Sequence, residues 1–425
     1  MQKCFASRVS MTALRAAVLL LTFIWVGCGE TYRPVATPIA PNPPNPNFSH
    51  VALVITGNGS SHPGASTTID VSGDTAVSRS TVGLMPVHAA LVQNGSRVYV
   101  ADSGDDTLAE FSPTSAAPVT TITLPAGSAP SFVATAENAT VYVANSGNNT
   151  VSAVSIVSNV VEPPLSGIPV GVHPVSLAET PNQQTLYSAN QGTGGTGGSV
   201  TSINAVDRSI NPPIANATWV SPVSVVARSD SNRVYVLDQG TGVVSAINTF
   251  TDTVVANASV GAGANFMLYD TSRNRLYVAN PANNTVTYLD ASSDALSAVV
   301  IHVANPIAVA SLPDGSRAYI STAAVSGGDV TSGVTVVNAA DGSIKSTISL
   351  TSVAQVCASN PFELPIAAAA DSSRVYVGNC DAGNVAIIQT LNDTLLLQMP
   401  APLSASFSTT GTPLPQNPVF VVAGP

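Results

Sequence analysis

The sequence predicts an all-β protein, a single β-propeller built from four-stranded blades. A β-rich pattern centred on a Tyr recurs seven times, at intervals of 43, 45, 48, 42, 42 and 57 residues. A period in the forties holds four short strands with their turns, the size of one propeller blade. No window of this region shows the 3.6-residue period of an amphipathic helix, which excludes helical solenoids.

Composition limits the classes of protein that remain. Of the 425 residues 45% are hydrophobic and 9% are charged, so the chain can bury a core and is not a disordered polyelectrolyte. The formal net charge is -10 at pH 7. Nucleic acid is therefore not expected as a partner, because phosphate binding relies on basic side chains.

Residues 1–27 have the features of a signal peptide. Lys3, Arg8 and Arg15 come before a short apolar run, AAVLLLTFIWVG, at residues 16–27. This run is shorter than the roughly 20 residues that a membrane-spanning helix needs, and it fits the hydrophobic region of a signal peptide. The sequence therefore predicts export.

The run ends at Val26-Gly27-Cys28, which resembles the lipobox of bacterial lipoproteins, although Trp25 stands where Leu is usual. The resemblance implies acylation of Cys28 and attachment to the membrane by lipid. Gly29 follows where Asp would favour inner-membrane retention, so the outer membrane or the cell surface is expected. The alternative is an ordinary signal peptide that is cut elsewhere.

Residues 28–49 are rich in Pro and predict an extended linker of about 3.1 Å per residue.

The propeller domain is predicted over residues 50–425. Each copy of the pattern supplies a strand B such as RVYVLD, a loop rich in Asn, Asp and Gly, and then strands C and D, with strand A before it. We interpret the repeated Tyr as a half-buried ring packed between blades. The Tyr residues that mark the seven copies are Tyr99, Tyr142, Tyr187, Tyr235, Tyr277, Tyr319 and Tyr376.

The two ends of this domain predict one further, composite blade. Residues 51–83 read as strands B, C and D without an A, whereas NPVFVVAGP at the C-terminus reads as a strand A alone. Joined, they would close the ring and remove its free sheet edges. The count is then eight blades, with seven as the alternative.

Two copies, Tyr142-Val143-Ala144-Asn145 and Tyr277-Val278-Ala279-Asn280, resemble the YVTN β-propeller repeat family. The resemblance extends over about 370 residues. It implies the propeller fold, and it implies little about function because one fold hosts many activities.

Cys357 and Cys380 are the two cysteines of the predicted domain, and an even pair in an oxidising compartment favours a disulfide. Both are placed in loops on the same face of the Tyr376 blade. Two separate thiols are the alternative.

No catalytic constellation, metal-binding spacing or cofactor motif is found, so we predict no catalytic residues, no metal and no cofactor. The Asp-rich turn from Asp102 to Asp106 has sibling turns without acids, which favours a turn with positive φ over a calcium loop. If a ligand binds, the face with the B-to-C and interblade loops is the expected place. The candidate binding residues on that face are His173, Trp219, Asp238 and Asn305.

The leading functional hypothesis is a monomeric, non-enzymatic surface lipoprotein, held to the membrane by its lipid, whose loops bind a protein, peptide or glycan. The alternatives are a hydrolase of the lactonase-like propeller type and a purely structural component of the cell envelope.

Overall fold

The computed structural model describes residues 50–57, 59, 61–114, 119–135, 139–357, 364–401, 403–407 and 413–424. The predicted signal peptide, Cys28 and the Pro-rich linker lie outside these residues. The described residues form strands, turns and bends, and no helix among them has the length and hydrophobicity of a membrane span.

The first fifteen strands, in chain order, are β1 (Val51–Gly57), β2 (Pro63–Asp70), β3 (Thr75–Leu84), β4 (Pro86–Leu91), β5 (Val98–Asp102), β6 (Thr107–Phe111), β7 (Thr120–Thr123), β8 (Pro130–Thr135), β9 (Thr140–Asn145), β10 (Thr150–Ser155), β11 (Val161–Glu162), β12 (Ile168–Pro169), β13 (Pro174–Glu179), β14 (Thr185–Asn190) and β15 (Ser199–Asn204). The remaining strands are β16 (Pro222–Ala227), β17 (Arg233–Asp238), β18 (Val243–Asn248), β19 (Thr253–Ser259), β20 (Phe266–Asp270), β21 (Arg275–Asn280), β22 (Thr285–Asp290), β23 (Ala298–His302), β24 (Pro306–Ser311), β25 (Arg317–Ser326), β26 (Asp329–Asn338), β27 (Ile344–Ala354), β28 (Ile366–Ala368), β29 (Arg374–Asn379), β30 (Asn384–Gln389), β31 (Thr394–Pro400), β32 (Leu403–Phe407), β33 (Pro413–Pro415) and β34 (Asn417–Ala423).

Thirty-two of these strands form eight antiparallel sheets, the blades, in which the chain moves outward from strand A to strand D, and β32 and β33 pair as a separate two-stranded sheet. From the innermost strand outward, the blades are β34-β1-β2-β3, β4 to β7, β8 to β12, β13 to β15, β16 to β19, β20 to β23, β24 to β27 and β28 to β31, here numbered 1 to 8. Each innermost strand contacts the innermost strands of both neighbouring blades, and β28 contacts β34, so the ring is closed. The propeller fold is confirmed, and the number of blades is eight rather than seven.

Blade 1 is the predicted composite. Strand β34 pairs antiparallel with β1, with Val54 opposite Val421, and β1 pairs with β2 on its other side. The C-terminal segment is thus the innermost strand of a blade whose other strands come from the start of the domain. The edge of β1 that would otherwise be free is covered by backbone hydrogen bonds.

Two blades depart from the four-stranded pattern at their outer edge. In blade 3 the outer strand is split into β11 and β12, with Pro163 and Pro164 between them. Blade 4 has three strands, and its outer position is reduced to a single bridge between Ile203 and Ile210, just before Asn211-Pro212-Pro213. Proline cannot donate a backbone hydrogen bond to a sheet, which explains why both outer strands break at these places.

The hydrophobic core lies between the blades, where the faces of neighbouring sheets pack. All seven repeated Tyr side chains are at most 1% exposed, so the expectation of half-buried rings is wrong in degree. The prediction that these rings pack between blades is confirmed, because Tyr235, for example, belongs to the cluster that joins blade 5 to blade 6.

Candidate functional site

The topology defines two faces of the ring. The loop face carries the B-to-C loops and the connections from strand D to the next strand A. The turn face carries the A-to-B and C-to-D turns. All four candidate binding residues, His173, Trp219, Asp238 and Asn305, belong to segments on the loop face, as expected from the sequence.

His173 and Asn305 occupy the same position of the repeat, where the backbone contacts the preceding blade. Each precedes the Pro that begins a strand A, and each has a positive φ, 57° and 46°. The backbone N–H of His173 donates to Oδ1 of Asn149 at 2.8 Å, and that of Asn305 donates to Oδ1 of Asn284 at 2.8 Å. The backbone of both residues therefore latches one blade to the one before it.

The Asn and Asp turns are the partners in this latch. Asp106, Asn149 and Asn284 all have positive φ values, 55°, 60° and 54°. In blade 2 the Asp106 carboxylate accepts hydrogen bonds from the N–H groups of Gly127 and Ala129, each at 2.7 Å. The interpretation of the acidic turn as a positive-φ turn is confirmed. No group of three or more His, Cys, Asp or Glu side chains in the described part of the chain is arranged to hold a metal ion.

Asp238 acts within its own blade. Its side chain is 1% exposed, and its carboxylate accepts hydrogen bonds from the N–H groups of Val220 (2.6 Å), Ser221 (2.9 Å), Gly240 (2.9 Å) and Thr241 (3.3 Å). These four donors leave little capacity for a ligand. The sequence suggests that Asp238 is available to a ligand on the loop face. Its surroundings indicate another role, because the carboxylate organises the loops of blade 5.

Trp219 is half-buried and packs on the hydrophobic cluster between blades 4 and 5. Its indole Nε1 is buried without a hydrogen-bond partner among the described residues. Its ring therefore contributes to the packing between these two blades.

His173 is the candidate whose side chain is most available. It is exposed and lines a cleft of about 330 Å³ together with Gln191, the loop from Gly192 to Gly195, and Ser221. Thr193 and Thr196 pair across a tight turn in which Gly194 and Gly195 have φ values of 58° and 75°. A side chain would be strained at both glycines, so this turn depends on them.

Sequence reasoning did not place this glycine-rich loop in the site. The signal was its length, because residues 191–198 separate β14 from β15, whereas residues 146–149 suffice between β9 and β10. Asn305 lies elsewhere, in a separate cleft of about 230 Å³ lined by Thr322, Thr331 and Thr347. The structure therefore brings His173 close to the loops that Asp238 organises, and it does not bring Asn305 to the same cleft.

A disulfide joins Cys357 to Cys380, the pairing that the sequence favours, with the two Cα atoms 6.0 Å apart. It ties the segment after β27 to the B-to-C loop of blade 8. The neighbouring Asp381 accepts hydrogen bonds from the N–H groups of Val356 and Cys357, at 2.7 and 2.8 Å. The loop face is thus firmly held at this point.

Among the described residues, blade 7 has the longest paired B-to-C hairpin on this face. Strands β25 and β26 remain paired out to Ser326 and Asp329. Strand A of this blade stops earlier on the same side, where its first residue, Pro306, lies opposite Thr322. Asn379 of blade 8 donates hydrogen bonds to Ser332 and Thr351, at 3.0 and 2.7 Å, which supports the extension from the side.

A central cavity of about 710 Å³ lies on the ring axis and was not predicted from the sequence. Its walls are the innermost strands of all eight blades, and its lining is mostly aliphatic and aromatic, with Val133, Leu177, Val226, Leu268 and Phe420 as examples. The sequence signal is weak, because the innermost strands read simply as short hydrophobic runs.

Comparison with known proteins supports the fold. No sequence family model matches the chain, and no curated protein matches it. Among solved structures, AztD from Citrobacter koseri in its apo form superposes with a TM-score of 0.62 at 10% identity, covering 88% of this chain and 98% of AztD. A protein described as a candidate 6-phosphogluconolactonase from Bacteroides fragilis gives 0.54 at 12% identity, covering 90% and 100%. A second one, from Bacteroides uniformis, gives 0.53 at 14% identity, covering 89% and 100%. At these identities the likeness shows the fold and leaves the activity open.

Proposed function

We propose that this protein is an exported, lipid-anchored β-propeller of the YVTN-repeat type whose loop face is a binding scaffold for a protein, peptide or glycan. The observation that carries the proposal is the distribution of the irregular segments. The glycine-rich loop of blade 4, the tall hairpin of blade 7 and the disulfide-tied segment of blade 8 all lie on the loop face. In repeat proteins, insertions concentrate on the face that binds partners.

The turn face is regular by comparison. Most of its turns are short, with longer connections at residues 112–119 of blade 2 and 291–297 of blade 6. Many are closed by an Asp side chain that accepts from the backbone two residues on, as Asp230 does from Asn232 at 3.0 Å and Asp341 from Ser343 at 2.9 Å. Strand β1 begins on this face, since Val51 pairs with Asp70 beside the C-to-D turn of blade 1. A tether that joins the propeller there leaves the loop face unobstructed.

The side chains that recur in every repeat make structural contacts within the propeller. This supports partner binding by the irregular segments rather than by the repeat. The Tyr and Asn side chains of the repeat make contacts between or within blades, as with Tyr142 to the carbonyl of Ala205 at 3.1 Å and Asn280 to that of Gly261 at 2.9 Å. Selectivity for a partner would then depend on the segments that differ from blade to blade.

Array binding tests the scaffold. The folded domain is presented to glycan and peptide arrays, together with a variant in which residues 191–198 are replaced by the sequence of residues 146–149. We expect specific binding that this replacement abolishes. Phe250→Ala is the matched control, because Phe250 is 96% exposed on the turn face and its loss should leave binding unchanged. Binding that survives the loop replacement, or that is lost in Phe250→Ala, would contradict the proposal.

The hydrolase remains the second candidate, since two of the similar structures are described as candidate 6-phosphogluconolactonases. Assay of the domain against sugar lactones, with His173→Ala as the variant, separates the two. Turnover of a lactone that falls at least tenfold in His173→Ala would favour the hydrolase over the binding scaffold as the function.

The anchor is tested by Cys28→Ser. Stable attachment to a membrane depends on acyl chains at this residue, so the variant should move from the membrane fraction to the soluble or unprocessed fraction. Unchanged fractionation together with unchanged mass would exclude the lipoprotein assignment.

A further inference from the structure

The central cavity occupies only the half of the channel nearest the turn face. Its lining in blades 2, 4, 5 and 7 begins at the third residue after the Pro that starts strand A, at Ala89, Leu177, Val225 and Val309. It continues into the A-to-B turns, where Gln93 and Pro181 line it. The mouth of the cavity is therefore on the turn face, opposite the proposed binding surface.

An aromatic layer lies at the inner end of the cavity. The imidazole of His88 is stacked on the ring of Phe132, with centroids 3.9 Å apart, and lies 4.3 Å from that of Phe420. Its Nδ1 accepts a hydrogen bond from the N–H of Val133 at 3.3 Å. Burial lowers the pKa of His88 to about 3, so this layer carries no positive charge near neutral pH.

The size of the cavity limits what can occupy it. The cavity has a volume of about 710 Å³, and four strand residues at about 3.3 Å each give it a depth of about 13 Å, down to the aromatic layer. An α-helix that entered it would leave the unpaired backbone groups of its buried end in an apolar space, which is unfavourable. An extended peptide would bring its own backbone amides into an apolar space without partners, which is unfavourable. A small molecule fits both the dimensions and the lining.

The polar groups of the lining determine which charge a bound molecule can carry. Gln93, Thr135 and Ser311 lie toward the mouth, and the charged side chain among the lining residues is the carboxylate of Glu179. The cavity lining contains no Lys or Arg, so a buried anionic group would have no cationic partner there to offset the cost of its desolvation. A neutral or cationic group meets acceptors at the mouth.

We infer that the central cavity is a binding site for a small, largely apolar molecule that carries no negative charge, with its apolar end against the Phe132 and Phe420 layer and any amine or N–H group at the Glu179 mouth. This site is distinct from the loop face and does not depend on its function.

Two fluorescent probes with the same ring system test the inference. N-phenyl-1-naphthylamine is neutral, and 8-anilinonaphthalene-1-sulfonate adds one sulfonate. We expect the neutral probe to bind the full folded domain saturably at one site, with a blue-shifted emission. The sulfonate should bind at least tenfold more weakly, and Glu179→Gln should narrow that difference.

Matched tryptophan variants locate the site. Ser311→Trp fills the mouth and should weaken the neutral probe at least tenfold. Ser316→Trp adds the same side chain to an exposed position in the following turn, outside the lining, and should leave binding unchanged. If Ser311→Trp does not fold, Gln93→Trp replaces it, since Gln93 is exposed at the same mouth. Absence of saturable binding, or equal effects of Ser311→Trp and Ser316→Trp, would overturn the inference.

Discussion

The hydroxyl of Tyr187 in blade 4 donates a 2.6 Å hydrogen bond to Oδ1 of Asp252, which lies 65 residues further along the chain in the C-to-D turn of blade 5. Tyr99 reaches Asn159 of the following blade at 2.9 Å in the same way, and Tyr319 reaches Asp393. In five of the seven copies the Tyr hydroxyl thus forms a hydrogen bond to the following blade, whereas the hydroxyls of Tyr277 and Tyr376 have no hydrogen-bond partner among the described residues. Arg residues two positions earlier reinforce this contact, as Arg317 does by pairing with the same Asp393.

Removal of one such hydrogen bond should weaken the ring measurably. Tyr187→Phe deletes a buried hydrogen bond to a carboxylate, and we expect it to lower the free energy of unfolding by about 1 to 2 kcal/mol. Tyr376→Phe is the matched control, because the Tyr376 hydroxyl is buried without a hydrogen-bond partner among the described residues. Urea denaturation measures both. Equal losses in the two variants would show that the hydroxyl contact is not the stabilising element.

Asp102 should make stability dependent on pH. It is 0% exposed, its carboxyl oxygens have no well-formed hydrogen bond in the described structure, and burial raises its pKa to about 8. The folded state therefore holds a proton that the unfolded state releases near pH 4. Stability contributed by this group falls as pH rises from about 4 to about 8, by at most about 1.4 kcal/mol per pH unit.

Asp102→Asn should remove this dependence, so the variant should gain more stability over the wild type at pH 7.5 than at pH 5. Asn is the residue that blades 3 and 6 carry at the corresponding position, Asn145 and Asn280. Asp238→Asn is the contrasting variant. It should destabilise by about 1 to 3 kcal/mol, because an amide nitrogen cannot accept from the loop N–H groups. Urea midpoints at the two pH values measure the effects. A wild-type pH profile that Asp102→Asn leaves unchanged would refute the assignment.

Deletion of residues 417–425 should open the ring. It removes β34 and exposes the backbone edge of β1, so we expect loss of cooperative unfolding or aggregation. Thermal melting and size-exclusion chromatography measure the result. A truncated domain that melts within a degree or two of the intact one would contradict a structural role for the composite blade.

The disulfide should stabilise the segment between blades 7 and 8. Cys357 and Cys380 are 23 residues apart, and closing a loop of this size contributes about 3 kcal/mol in the chain-entropy model. The double replacement with Ser should lower the free energy of unfolding accordingly. Non-reducing peptide mapping checks the bond itself, and two alkylatable thiols in freshly purified protein would exclude it.

Much of the architecture could be predicted because it is encoded in local patterns. The spacing of the Tyr residues gave the blades, and the orphan strands at the ends gave the composite blade. The breaks in blades 3 and 4 also had a local signal, the Pro pairs at Pro163-Pro164 and Pro212-Pro213, but the strand pattern alone did not show that they would remove outer pairing.

The candidate site was harder to predict because its residues are defined by partners in other segments. Asp238 and His173 look alike in the sequence, as polar residues in loops. Only the structure shows that four N–H groups surround the first and that the imidazole of the second is exposed. The central cavity depends on the arrangement of eight strands about one axis, which no local window contains.

Blade 1 has a further consequence for the order in which the molecule can assemble. The innermost strand, β34, follows all the other strands of the ring in the chain, and its partner β1 precedes them. The other seven blades can form from neighbouring segments, whereas blade 1 needs a contact across nearly the whole domain, the kind that forms slowly. Until that contact forms, the ring has an open seam at β1. We therefore expect closure of the ring to be the last step of folding. A chain that lacks β34 keeps an unpaired strand edge at β1 and cannot complete this step.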